Sequence, residues 1–272
     1  MEQRLFFNSS LPRAGSTLLS NIVGHHPNFY VSPTSALIDL VLGARIGYND
    51  SRETAYTDTE TWKKGFINFN RYGLGGFMNA VSDKPYHLDK SRMWAAYYDL
   101  LNMILPNPQV VIMVRDLRAI YSSMEKKFRK NPDVETNIMD NVNMTGITTD
   151  QRVTHWSKTH PVGYSVVKLN ELILQKLDKN ILFFRYEDFC QYPNEHMKQL
   201  YEFFGVEYFQ HDWNNIQQLT SENDEAHGIF GDHKIRQKLE RKSDDWKKIL
   251  GDYTSNRIVS ENKWFYDYFR YN

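Results

Sequence analysis

The N-terminal stretch of the chain combines three features that few folds accommodate together. Residues 4–9 (RLFFNS) are a short apolar run, which predicts a buried strand. Residues 10–16 predict a turn in which Gly15 can adopt a positive φ angle. From residue 17 onward, apolar side chains recur on one helical face. A strand, a tight loop of small residues and a helix N-terminus form an anion site, because backbone N–H groups and the helix dipole point at the ligand.

The loop matches the Walker A phosphate loop, G-x-x-x-x-G-K-[ST], only in part. Gly15 and Thr17 occupy the second glycine and the hydroxyl positions, whereas Ser10 stands at the first glycine and Ser16 at the lysine. Arg13, inside the loop, can supply the missing positive charge. We therefore expect a phosphate-type cradle without the usual lysine. An ordinary strand-turn-helix corner is the alternative.

The rest of the chain alternates apolar strand-like runs with helical patterns. The further predicted strands are residues 28–31, 86–89, 109–114 and 180–184. The run at 109–114 (QVVIMV) is continuous, as expected for a strand buried on both faces of a parallel sheet. This alternation predicts a P-loop-NTPase-like α/β fold, a doubly wound parallel sheet flanked by helices. Because no linker or repeat divides the 272 residues, we expect one domain over 1–272, with residues 131–150 as an insertion or mobile loop.

Several connections have predictable local structure. The expectations are a helix start at residues 32–35, a surface loop at 49–61, a helix at 62–81 that breaks at its glycines, a helix at 233–240, and an aromatic segment at 264–271 that docks on the core.

Composition restricts the functional class. The 33 basic and 33 acidic residues give no net charge, which argues against a general nucleic-acid or membrane-surface binder. Cys190 is the only cysteine, so an intramolecular disulfide is impossible and a reducing compartment is expected. The chain starts with a strand pattern rather than a signal segment, and no apolar run reaches the roughly 20 residues of a membrane span. We therefore expect a soluble, cytoplasmic protein.

Five segments of the chain carry basic side chains, and the first four of them overlap or follow a predicted strand. In chain order they are SLPRAGSTLL (10–19), HLDKSRMW (87–94), VIMVRDLRAIYSSM (111–124), RYEDF (185–189) and ERKSDDWKK (240–248). Together they resemble the motifs of sulfotransferases that use 3′-phosphoadenosine 5′-phosphosulfate (PAPS), in the style of the tyrosyl-protein, Golgi-type and bacterial members. The resemblance implies transfer of a sulfonate from PAPS to a hydroxyl or amine, with release of 3′-phosphoadenosine 5′-phosphate (PAP).

The resemblance also implies a set of donor-binding residues. They are Arg13, Ala14, Gly15, Ser16, Thr17, Leu18, Arg115, Ser123, Tyr186, Arg241 and Lys242. This set has a physical logic, because PAPS carries two separate phosphate-type anions. The resemblance assigns the loop at 10–19 to the 5′ end of the donor, and Arg115 and Ser123 to its 3′-phosphate. Arg115 follows a predicted parallel strand, where ligands bind in open α/β sheets, and guanidinium groups suit phosphate. Arg115 could instead pair with Asp116 or Glu187.

The implied catalytic residues are Lys90 and a general base. In this role Lys90 would contact the sulfonate and the bridging oxygen. The alternative interpretation is that Lys90 is a surface lysine at the start of a helix. For the base, the sequence departs from the family pattern, and the candidates are Asp39, then His87, then Asp89. The resemblance implies no metal. The two histidines near residue 230, His227 and His233, are interpreted as structural or substrate-loop residues.

Two functions of other classes compete with this interpretation. One is a P-loop kinase or other phosphoryl-transfer enzyme that uses the same cradle. The other is a non-catalytic nucleotide-binding protein. The acceptor class, whether carbohydrate, small metabolite, lipid or peptide tyrosine, stays open, as does the oligomeric state.

Overall fold

A five-stranded parallel sheet forms the centre of the protein. The computed structural model describes residues 3–55, 59–130, 144–225, 231–241 and 245–271. The strands are β1 (Arg4–Asn8), β2 (Phe29–Thr34), β3 (Tyr86–Lys90), β4 (Val110–Val114) and β5 (Ile181–Arg185). Their order is β2-β3-β1-β4-β5, and every neighbouring pair is parallel. The predicted α/β fold with a parallel sheet is confirmed.

Helices connect the strands and cover the sheet. They are α1 (Ser16–Gly24), α2 (Leu37–Asp50), α3 (Arg52–Ala55), α4 (Thr59–Val81), α5 (Met93–Ala96), α6 (Tyr98–Ile104), α7 (Leu117–Lys130), α8 (Thr149–Lys158), α9 (Val162–Leu174), α10 (Tyr186–Gln191), α11 (Pro193–Phe204), α12 (Trp246–Glu261) and α13 (Lys263–Tyr268). A 3₁₀ turn, Asp178–Asn180, precedes β5. None of the helices among the described residues combines the length and apolarity that a membrane crossing requires.

The chain reverses its winding direction at β1, and this determines where a ligand can bind. From β1 the chain moves to β2 and β3 on one side of the sheet, and then crosses to β4 and β5 on the other. The loops after β1 and β4 therefore diverge and leave a crevice at the carboxyl edge, which is the usual ligand position in such sheets. The buried faces of β1 and β4, which include Phe6, Phe7 and all five residues of β4, anchor this edge.

Two predicted boundaries are wrong because tertiary pairing overrides local pattern. The predicted helix start at residues 32–35 belongs largely to β2, which pairs with β3 as far as Thr34 and Lys90. The predicted helix at 233–240 is an extended stretch. It runs beside residues 213–218, where the Ile216 N–H donates to the Gln237 carbonyl (2.7 Å) and the Leu239 N–H to the Trp213 carbonyl (2.9 Å).

The segment between β2 and β3 is more helical than predicted. Residues 49–61, predicted as a loop, contain the end of α2, the short helix α3 and the start of α4. Helix α4 continues through Gly73, Gly75 and Gly76, where a break was predicted. Its buried residues Leu74 and Met78 hold that part of the helix against the protein.

The aromatic C-terminus docks on the core, as predicted. Phe265 and Tyr266 are buried. The Tyr266 hydroxyl donates to Asp116 Oδ1 (3.0 Å), and the Tyr271 hydroxyl donates to Glu187 Oε2 (2.8 Å). These bonds connect the C-terminus to the residues that follow β4 and β5. Of the predicted insertion at 131–150, residues 131–143 lie outside the described residues, and α8 begins at Thr149.

Candidate functional site

All five strands deliver residues to one pocket at the carboxyl edge of the sheet. Asn8, Thr34 and Lys90 are the last residues of β1, β2 and β3, and Arg115 and Tyr186 directly follow β4 and β5. All five line the pocket, together with the loop between β1 and α1. The ligand position that the topology favours is therefore a real concavity with polar and cationic walls.

The Asn8 side chain fixes the shape of the loop. Its Nδ2 donates to the Ser16 carbonyl (3.0 Å) and to Ser20 Oγ (2.9 Å), and its Oδ1 accepts from Ser10 Oγ (2.6 Å). Ser10 Oγ in turn accepts from the Met113 N–H (2.8 Å), which joins the loop to β4. Ser10, which replaces the first Walker glycine, thus uses its hydroxyl to brace the loop.

Two residues of the loop have positive φ angles, Arg13 (62°) and Gly15 (97°). A Cβ atom at Gly15 would lie 3.0 Å from Tyr186 Cδ2, so both backbone angle and space require glycine there. Helix α1 begins at Ser16, and no side chain caps it or places an acidic group in its first turn. Because first-turn N–H groups have no partner within a helix, this end is suited to an anion.

The Arg13 side chain spans from the loop to α7. Its Nε and Nη2 donate to Ser123 Oγ (3.1 and 3.0 Å), and Nη2 also donates to Asp232 Oδ2 (2.6 Å). Arg13 and Ser123, predicted in two different motifs, are therefore in direct contact. Arg13 lies beside the residues predicted for the 3′-phosphate, although the sequence motif groups it with the 5′ cradle.

Arg115 joins the loop to the aromatic wall of the pocket. Its Nη1 donates to the Arg13 carbonyl (3.2 Å), and its guanidinium carbon lies 4.7 Å from the centre of the Tyr186 ring. The two carboxylates considered as its alternative partners have strong bonds of their own. Asp116 pairs with Arg118 Nη2 (2.5 Å), and Glu187 accepts from Tyr271. Arg115 thus contacts the loop and Tyr186, and its charge also acts on Glu187.

Lys90 forms a buried ion pair with a residue that the sequence did not suggest, Glu222. The side chains are only 5% and 3% exposed. Lys90 Nζ also donates to Thr17 Oγ1 (3.1 Å), and the Glu222 oxygens accept from the Thr34 N–H (3.0 and 3.1 Å). Burial lowers the pKa of Lys90, which Glu222 partly offsets. Burial alone would raise the pKa of Glu222, but the Lys90 charge and the hydrogen bonds hold it below its usual value.

None of the three predicted base candidates lines this pocket. Because successive side chains of a strand face opposite sides, His87 and Asp89 lie on the other face of β3 from Lys90. They line a small separate cavity, where Asp89 accepts from Trp94 Nε1 (2.7 Å) and His87 Nε2 contacts the Lys84 carbonyl (3.1 Å). Burial raises the pKa of Asp89 and lowers that of His87. Asp39 is exposed on the first turn of α2.

The other predicted residues are placed as follows. The pocket wall includes Gly15, Ser16, Thr17 and Leu18, and Ala14 is buried within the loop. Ser123 lines an adjoining pocket. Arg241 is exposed next to the pocket-lining Glu240, whereas Lys242 and His227 lie outside the described residues.

Residues from the C-terminal third of the chain close over the pocket. We call residues 220–225 and 231–241 the C-terminal cover. It contributes residues 232–236 and 238–240 to the pocket wall. The His233 ring Nδ1 lies 2.6 Å from Asp224 Oδ1. The sequence pattern predicts a helix at 233–240 and a structural or substrate-loop role for His233. Its mixed charges and paired acids were the available signal, but spacing alone does not show what they contact.

A second, basic pocket adjoins the first along α7. It shares Arg13, Arg115 and Arg236 with the first pocket and adds Ser122, Ser123, Lys126, Lys127 and Lys130. Lys126 pairs with Asp245, and Lys127 donates to the Gly231 carbonyl. The cationic surface therefore extends from the loop along one face of α7.

Comparison with known proteins identifies relatives of the whole chain. Residues 6–210 match the model of the sulfotransferase family. No curated protein sequence matches the chain.

Solved structures resemble the chain over almost its full length. The sulfotransferase domain of the curacin biosynthetic pathway has 18% identity and a TM-score of 0.51, with 96% of this chain and 97% of that chain covered. The sulfotransferase domain of the Synechococcus PCC 7002 olefin synthase has 16% identity and a TM-score of 0.52, with 96% and 94% covered. A mouse sulfotransferase solved in complex with PAP has 13% identity and a TM-score of 0.51, with 96% and 82% covered. At such identities the likeness concerns the fold alone.

Proposed function

This chain belongs to the sulfotransferase family, and from that premise we propose that its sulfonyl donor is PAPS and that PAP is its product. The acceptor provides a hydroxyl or an amine. Membership of the family makes the chain a transferase of sulfonyl groups, and nothing observed favours the phosphoryl-transfer alternative. The assignment of the donor rests on the pocket.

The observation that carries this proposal is that two cationic groups lie in one pocket, on either side of β1. Lys90 ends β3 and Arg115 follows β4, and these strands flank β1. Two strand spacings separate them, which is roughly 10 Å. A nucleotide with an anion at its 5′ end and another at its 3′ position needs such a pair of separated cations, joined by a concave wall for the sugar and base.

The residues of the pocket suit the two anions differently. In our proposal the N–H groups of residues 15–18 bind the 5′-phosphate, as helix N-termini do. Arg115, Arg13 and Ser123 bind the 3′-phosphate through guanidinium and hydroxyl donors. Tyr186 packs against the adenine, and the C-terminal cover with Arg241 closes the site.

Lys90 is proposed to act on the reacting group. Its buried ammonium lies beside the Thr17 hydroxyl, at the start of α1. There it would neutralise the charge that develops on the sulfonate and on the bridging oxygen as the S–O bond to the phosphate breaks. Glu222 holds this ammonium, so the sulfonate has to share or replace that contact.

Calorimetric titration with PAP, ATP and AMP in metal-free buffer tests the donor assignment. We expect micromolar binding of PAP and at least tenfold weaker binding of both ATP and AMP, because neither carries a 3′-phosphate. Tight, magnesium-dependent binding of ATP without preference for PAP would overturn the proposal and favour a phosphoryl-transfer enzyme.

A further inference from the structure

Asp224 holds His233 at two points. The carboxylate lies 2.6 Å from the ring Nδ1, and it also accepts from the His233 backbone N–H at 3.2 and 3.3 Å. The side chain of Gln218 donates to the His233 carbonyl (3.2 Å). The imidazole is therefore fixed both by its ring and by its main chain.

This contact determines the tautomer of the neutral ring. An ionised carboxylate can only accept hydrogen bonds, so Nδ1 of His233 carries the hydrogen that Asp224 receives. The other ring nitrogen, Nε2, then has the basic lone pair. A carboxylate at Nδ1 also stabilises the imidazolium that forms when Nε2 takes up a proton.

His233 lies in the wall of the pocket that contains Lys90 and Thr17. Its side chain is 15% exposed, so the ring is largely shielded but still reachable. The charge of Asp224 also acts on Lys90. The imidazole of His233 and the ammonium of Lys90 thus belong to the wall of one pocket.

The other titratable groups in the described wall are less suited to accept a proton. His233 is the one histidine among the described residues that line this pocket. The lining carboxylates are Asp232, which pairs with Arg13, and Glu240, which lies 3.6 Å from Arg236 and 3.5 Å from Lys238. Both lining carboxylates therefore face cationic partners, whereas the ring of His233 is held by a carboxylate.

We propose that His233 is the general base of the sulfonyl transfer and that Asp224 is its positioning residue. This inference rests on the proposed function. It replaces Asp39, His87 and Asp89, none of which lines the pocket. The acceptor is accordingly a group that is neutral in water and has to lose a proton, such as an alcohol or an un-ionised phenol.

The step balances without a further reactant. The acceptor O–H gives its proton to His233 Nε2, and its oxygen forms a new bond to sulfur. The S–O bond to the 5′-phosphate of the donor breaks, and its electron pair leaves with PAP. Lys90 neutralises the charge on that oxygen, and the imidazolium later releases its proton to solvent.

The test compares His233→Gln with the wild type on acceptors of graded acidity. PAP release from PAPS is followed with water alone, with a simple alcohol, and with phenols up to 4-nitrophenol, which is largely ionised in mildly alkaline buffer. We expect His233→Gln to lower kcat on un-ionised acceptors by about 10²- to 10⁴-fold. The loss should be much smaller on 4-nitrophenol, which needs no base, and PAP affinity should stay within about threefold.

Asp224 has its own test, because it acts through His233. Asp224→Asn is expected to lower kcat about 10- to 100-fold, with KM for PAPS nearly unchanged, and Asp224→Glu should restore part of the activity. His160→Gln serves as the matched control, since His160 is an exposed histidine at the end of α8.

The outcomes separate this inference from the proposed function. Full activity of His233→Gln on un-ionised acceptors would overturn the inference, as would an equal loss on all acceptors together with lost PAP affinity. Wild-type protein that does not bind PAP at all would instead overturn the donor assignment.

Discussion

Asp232 holds the guanidinium of Arg13 in an ion pair with a 2.6 Å N–O distance. Arg13 belongs to the loop between β1 and α1, whereas Asp232 belongs to the C-terminal cover. Glu222, from the same cover, holds Lys90 in the same manner. Two of the cations that we assign to donor binding are thus paired with acidic side chains of the cover.

The first prediction is that Asp232→Asn tightens PAP binding. The carboxylate competes with the nucleotide for Arg13 and repels its phosphates, so its removal favours the complex. Because the Asp232 side chain is 43% exposed, solvent screens the pair, and the gain should not exceed about 1 kcal/mol, or about fivefold in Kd. Calorimetry with PAP measures it.

Glu225→Gln is the control for Asp232→Asn. Glu225 is an exposed acid of the same cover, and its loss changes the net charge equally. A similar gain in both variants would indicate a general charge effect, and weaker binding in Asp232→Asn would contradict the competition.

The second prediction concerns the 3′-phosphate. Arg115→Ala and Arg13→Ala should each weaken PAP binding at least tenfold, or about 1.4 kcal/mol, because each removes a guanidinium donor from the pocket. Binding of AMP, which has no 3′-phosphate, should change much less in Arg115→Ala. Arg45→Ala, at an exposed position of α2, controls for the lost charge. Equal losses for PAP and AMP would place Arg115 elsewhere on the nucleotide.

Local sequence pattern was sufficient to predict the centre of the fold and one half of the site. The apolar runs of β1 and β4 and the glycine of the loop are signals that each span only a few residues. Gly15 and Arg115 could therefore be placed at the carboxyl edge from the parallel-strand rule alone. The conformation that Gly15 needs, with a φ of 97°, is one that few other residues adopt.

The other half of the site depends on contacts that no local pattern encodes. Lys90 and Glu222 are 132 residues apart in the chain, and their pairing results from the way the C-terminal cover folds back. The position of His87 away from Lys90 follows from the strand itself, since residues 87 and 90 of one strand must face opposite sides. The wrong prediction of a helix at 233–240 could not be avoided in this way, because Ile235 and Leu239 have helical spacing and only the pairing with residues 213–218 makes them extended.

The third prediction concerns the buried pair of Lys90 and Glu222. Lys90→Met should lower the free energy of unfolding by about 3–5 kcal/mol, because it leaves the Glu222 carboxylate buried without its cation. The double variant Lys90→Met/Glu222→Leu should be more stable than either single variant, since it buries no unpaired charge. Urea denaturation of the four proteins measures the coupling.

The exposed pair of Lys168 and Glu171 provides the comparison for that cycle. Its side chains are 30% and 46% exposed, so its coupling should be below about 1 kcal/mol. A Lys90–Glu222 coupling energy as small as this would mean that the two side chains do not form an ion pair in solution.

The last prediction is a loss of stability in acid, and it arises from a histidine outside the site. His211 is buried against Tyr201, whose hydroxyl lies 2.9 Å from His211 Nε2. Burial, together with the charges of His25 and His26, lowers the pKa of His211 from 6.5 to about 4. The contribution of the neutral His211 ring to the free energy of unfolding is therefore fully present above pH 6.5. As the pH falls from 6.5 towards 4, the unfolded chain takes up a proton that the folded protein resists, and the stability contributed by this group is lost.

The expected size of this loss is about 3 kcal/mol between pH 6.5 and pH 4, at about 1.4 kcal/mol per pH unit. Denaturant unfolding across this range measures it. His211→Gln removes the titrating group, so its stability should fall less steeply with acid than that of the wild type, even if it is lower at neutral pH. The exposed His160→Gln should keep the wild-type slope. An unchanged slope in His211→Gln would show that other groups cause the acid sensitivity, and that the His211 ring can be protonated without opening the structure around Tyr201.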